Sequence, residues 1–211
     1  MSEIVLAVLT LGACVYGVSA ASKLTGRAAF SSFRAGIRAT GVVRETRLRM
    51  VTVVLVSTEV AVAAGSAAAA IVLALAPRSS GPLVSLALGA GCVVIAALLA
   101  GVALVMRRGT HAPCPCFGAA SNLPLGAVHL VRNSCLLSVL AAGLLINVLR
   151  GAATATGAPK DLVAVATALI GALLFIRWDD LAGLVLPSAG RIAQTHHQPA
   201  RAPARAGRTA R

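Results

Sequence analysis

Cys114-Pro115-Cys116 is the pair of cysteines in this chain whose spacing suits chemistry, with a single residue between the two thiols. A disulfide closed over so short a span is strained, and strain makes such a bond easier to reduce. Pro115 fixes its own backbone and pushes Cys114 toward an extended conformation, which limits how the ring relaxes. Arg107, Arg108 and His111 precede the pair and Arg132 follows it. Nearby cations favour the thiolate, the reactive form. A dithiol of this kind can pass electrons by thiol–disulfide exchange with a partner protein, and Cys135 is a candidate resolving thiol.

Two other readings of the same residues stay open. His111, Cys114, Cys116 and the downstream His129 offer imidazole and sulfur, ligands that suit Cu(I) or Zn. Their spacing matches no zinc pattern. The cysteines could equally fill a tight turn. No residue pattern here requires a cofactor, and nothing argues specifically for a quinone.

Glu59 is the second residue with chemical potential. It lies inside an apolar run, the ninth residue counting from Val51, on the order of 12 Å below the surface at 1.5 Å per residue. A carboxylate at that depth is expensive, so it must face other helices and find a partner or a proton. It is expected to act either as a proton acceptor or donor near a reactive site, or as a hydrogen-bond clamp between helices.

The elements that would position these residues are membrane helices. The 211 residues are 58% hydrophobic and only 12% charged, with a mean hydropathy of +0.88; a soluble domain carries about 25% charged residues. Apolar runs cover about Ile4–Ala21, Val51–Ala76, Pro82–Met106, Ala127–Leu149 and Asp161–Ile176. They are rich in Ala, Leu and Gly and do not alternate, which argues against a transmembrane barrel. The expected fold is all-α: a polytopic membrane bundle of four to five helices. Val18-Ser19-Ala20 has the look of a signal-peptide cleavage site, but Glu3 and the absence of Lys or Arg before the run favour a first spanning helix.

Between the first two runs the chain is polar and basic. Phe30, Phe33 and Ile37 fall at helical spacing there, with Arg27, Arg34 and Arg38 largely on other faces, the pattern of an amphipathic helix in the headgroup plane. The fifth run is short, near 24 Å at 1.5 Å per residue, with Trp178 marking its interface; a re-entrant or surface helix is the alternative. Residues 1–186 therefore read as one transmembrane domain. Residues 187–211, with five Arg and no acid, read as a disordered basic tail.

A net charge of +13 could suggest a nucleic-acid partner. Aromatic residues are only 3%, however, too few to stack bases, and the basic residues crowd beside the apolar runs. The bilayer and its anionic headgroups are the expected partner, and nucleic acid is not. With five crossings, all but Arg78, Arg150 and Lys160 of the 19 basic residues share the side of the cysteine loop. That bias places the loop in the cytoplasm. Disulfide chemistry favours the oxidising side instead, and the two expectations conflict.

Several features together resemble the methylamine-utilisation MauE family of DoxX-like membrane proteins. They are Ser22-Lys23-Leu24 with Phe30 following, Glu59, Cys114-Pro115-Cys116-Phe117-Gly118, and Arg132-Asn133 opening the fourth run. The resemblance covers roughly residues 1–150. It implies a multi-pass protein of the bacterial inner membrane, with a DoxX-like four-helix core. It also implies a role in maturing the disulfide-rich small subunit of methylamine dehydrogenase beside a thioredoxin-like partner. Cys114 and Cys116 would then be the redox dithiol.

Overall fold

The computed structural model describes residues 2–109, 126–150 and 158–185. Among these there is no strand, and five helices are long and apolar enough to cross a membrane. They are α1 (Ser2–Leu24), α3 (Glu45–Leu75), α4 (Gly81–Arg107), α5 (Ala127–Arg150) and α6 (Ala158–Ile176). Two shorter helices, α2 (Arg27–Ala39) and α7 (Trp178–Val185), complete the set. A single 3₁₀ turn, Pro77–Ser79, links α3 to α4.

Four helices close a ring: α1 packs on α3, α3 on α4, α4 on α5, and α5 back on α1. α6 lies outside the ring against α1, through the buried stripe Ala164, Ala168 and Ala172. Small residues at four-residue spacing let helices approach closely, which matters where lipid gives no hydrophobic drive between them. α1 is thus the hub, and Leu9 at its centre is fully buried.

Close approach is also visible where α1 meets α5. A Cβ added to Gly143 would fall 2.9 Å from a Val8 methyl, and one on Gly12 would lie 3.5 Å from Leu140. These contacts set an antiparallel register. Tyr16 donates its hydroxyl to the carbonyl of Gly91 on α4 at 2.8 Å, at the level of Val62 and Leu140. Outward-facing Leu75, Leu86, Val93, Leu162 and Val163 are exposed and meet lipid.

α3 begins at Glu45, six residues before the apolar run. Arg44 is extended, and Glu45 in the first turn suits the positive end of the helix dipole. α2 is amphipathic as expected, but its apolar side is occupied by the bundle. Phe33 is buried against it, while Phe30 and Ile37 are half-buried. Arg108 caps the end of α4, and Gly109 follows with a φ of 66°, a left-handed conformation that glycine adopts without strain.

Candidate functional site

The buried charges of the described residues gather at one end of the ring. This is the end where α1 stops, α3 and α5 start, and α4 and α6 stop. Lys23 is in the last turn of α1, where a lysine would ordinarily extend its ammonium out to the headgroups. Instead the side chain turns back along α1, because helical side chains lean toward the helix N-terminus. Its Nζ donates to Ser19 Oγ at 2.8 Å and to Glu59 Oε1 and Oε2 at 2.7 and 2.5 Å. All three ammonium protons are accounted for. The Phe33 ring of α2 lies over the cation, 4.8 Å from Nζ to the ring centre, an additional electrostatic contact.

Lys23 and Glu59 have side chains 2% and 6% exposed. Two charges so far from water hold together only because each satisfies the other. The expected depth of Glu59 thus resolves into a bundle-facing carboxylate with a named partner. Thr52, two turns closer to the start of α3 on the same buried face, donates its hydroxyl to the Leu48 carbonyl at 2.7 Å.

A second cluster sits on α5 and α7. Arg132 is buried, and its Nη1 lies 3.4 Å from Asp179 Oδ2. His129, one turn earlier, brings Nε2 within 4.0 Å of the same oxygen. α7 is held across the ends of α5 and α6, with Trp178 against Phe175 at 6.2 Å between ring centres. The register set by Val8 with Gly143 and Gly12 with Leu140, continued two turns, brings Ser19 level with Arg132 and Asn133. The two clusters therefore share one depth of the bundle.

Cys114 and Cys116 lie outside the described residues, as do His111 and the 187–211 tail. The chain leaves α4 at Gly109 and re-enters α5 at Gly126, so the segment with both cysteines is joined at the polar end. Cys135 is exposed on α5, while its neighbours Arg132, Asn133 and Leu136 are buried. That outward face turns it away from the clusters. Cys14 and Cys92 are half-buried packing residues of the core. Among the described residues no three His, Cys, Asp or Glu side chains meet as a metal site, and His129 keeps company with Arg132 and Asp179.

Sequence reasoning placed Glu59 in the bundle but did not identify Lys23 or Ser19 as its partners, nor Asp179 as the partner of Arg132. One signal was available: with only six acidic residues in the chain, each acid beside an apolar run is a candidate counter-ion.

A family model described as methylamine utilisation protein MauE matches residues 1–146, from α1 almost to the end of α5. Lys23, Glu59, His129 and Arg132 fall inside the match, and Asp179 lies beyond it. No curated protein and no solved structure matches the chain.

Proposed function

The chain belongs to the MauE family of methylamine utilisation, and from that premise we propose that it supports thiol–disulfide chemistry on a client protein from within the membrane. In this reading Cys114 and Cys116 form the working dithiol. Thiolate attack on a partner disulfide forms a mixed disulfide. Attack by the second cysteine then closes the Cys114–Cys116 bond and leaves two thiols on the partner; two electrons and two protons have moved. The reverse sequence oxidises a client dithiol. A thioredoxin-like protein is the proposed exchange partner, and the disulfide-rich small subunit of a methylamine dehydrogenase the proposed client.

One observation carries the reading. The bundle concentrates its buried ionisable groups, Lys23 with Glu59 and Arg132 with Asp179, at the end where the cysteine segment is joined. Buried ionisable groups in a membrane protein face the bundle interior and mark functional regions. Glu59 is proposed as the proton-handling group of that end, with Lys23 as its counter-ion.

The test is substitution of each cysteine in cells that depend on client maturation. Cys116→Ser is expected to trap a mixed disulfide through Cys114, and each single substitution to abolish maturation. Full maturation with both cysteines replaced would reduce the protein to an assembly scaffold. Membership of the bacterial inner membrane and the side of the loop belong to the same proposal. The excess of basic residues at this end predicts a cytoplasmic loop, and labelling of Cys114 by an impermeant maleimide in intact cells would reverse that orientation.

A further inference from the structure

Among the described residues, one buried cluster has incomplete hydrogen bonding, and it is not the Lys23–Glu59 pair. His129 is 1% exposed, yet neither of its ring nitrogens has a hydrogen-bond partner, and Asp179 Oδ1 has none. The contacts within the cluster are long, 3.4 Å from Arg132 and 4.0 Å from His129 to Asp179 Oδ2. Each buried polar atom left without a partner carries the cost of its lost hydration uncompensated. A protein that carried three of them dry, side by side, would gain nothing for that loss.

Water resolves the arrangement. A buried water is held by two to four polar atoms, and polar groups separated by more than about 3.5 Å are commonly bridged by one. A water between His129 and Asp179 can donate to Oδ1 and meet the imidazole. The neutral ring offers a donor at one nitrogen and an acceptor at the other. The Arg132 guanidinium, with Nη1 3.4 Å from Asp179 Oδ2, brings N–H donors to the same cluster. Exposure also indicates the way in: the Asp179 side chain is 12% exposed, against 2% for each of the other two.

We infer that His129, Arg132 and Asp179 enclose an internal water site, entered past Asp179 from α7, through which the His129 imidazole exchanges protons with the aqueous phase. This gives the polar end of the bundle a proton port separate from the Lys23–Glu59 pair. The inference does not depend on Cys114 or Cys116, so it stands or falls apart from the proposed redox role.

Deuterium exchange at the Cε1 position of His129 tests it directly, since that exchange requires water to reach the ring. The full chain in lipid nanodiscs is incubated in D₂O, digested and read by mass spectrometry, with the unfolded chain as the reference. A wet site predicts exchange within roughly tenfold of the unfolded rate, far faster than global opening of a core would allow. A slower rate means a dry cluster and overturns the inference. Asp179→Leu removes one wall of the site and is expected to slow His129 exchange, with Trp178, the single tryptophan, reporting by its emission that α7 stays docked. Unchanged exchange in a docked variant would also overturn it. If the variant loses docking, the wild-type rate alone decides.

Discussion

The two ends of the helix ring are held together by different chemistry. At the end away from the cysteine segment, Asn147 of α5 donates to the Gly81 carbonyl at 3.2 Å and to Ser85 Oγ at 2.9 Å. Glu3, Lys160 and Asp161 at that end are exposed or half-buried, and none of the described residues buries a full charge there. At the other end the helices are joined through full charges, Lys23 with Glu59 and Arg132 with Asp179. Both ends are helical, and at the first the described helices meet without burying an ion, so helix association by itself does not demand a buried one. The charged end carries something more than packing.

The contrast can be broken most sharply at Glu59. Replacing it with alanine leaves the Lys23 ammonium buried without its counter-ion, and breaking a buried pair in this way costs about 3–5 kcal/mol. Thermal unfolding in detergent should register the loss. Replacing Lys23 and Glu59 together with methionine is expected to recover most of it, because two apolar residues of similar size remove both desolvation penalties. A double variant no more stable than Glu59→Ala would mean that the charges hold the fold, and the proposed functional role of the pair would lose its support.

At the end without buried charge, Asn147→Ala should cost far less, near the ~0.6 kcal/mol average for hydrogen bonds between membrane helices. A loss comparable to that of Glu59→Ala would erase the difference between the ends. The smallest effect is expected at the surface. Arg38 and Glu45 pair where both side chains are more than half exposed, and Glu45→Ala should leave the unfolding temperature unchanged, since solvent screens such pairs.

The helices themselves were legible in the sequence because an apolar run of spanning length admits few other structures. Boundaries were less so. α3 starts at Glu45 rather than Val51 because a helix continues past the membrane wherever its polar turns can still pack, as Leu48 does. Glu59 announced its need for a partner through its depth alone. Lys23 did not announce itself, since a lysine at a helix end reads as a side chain reaching outward. Only the register between α1 and α3 shows it turning inward, and register depends on which small residues meet which branched ones across the interface. Asp179 was hidden for a similar reason: its partner Arg132 is 47 residues away in sequence, and α7 must fold across α5 before the two meet. Arg132 also counted toward the positive bias used for orientation, although here it is buried and paired with an acid.

The central position of α1 has a consequence for how the protein is made. Of the five spanning helices among the described residues, α1 touches the other four and leaves the ribosome before them, so the hub exists before those that pack around it. Lys23 enters the membrane region with no acid to meet. Glu59 follows 36 residues later, about 2 to 7 seconds at typical synthesis rates of 5–20 residues per second. During that interval the ammonium must remain in the headgroup layer, and the inward turn seen in the finished protein can happen only once α3 has been delivered. Lys23 therefore changes address during assembly, and the closing of its contact with Glu59 marks the moment when α1 and α3 become one unit.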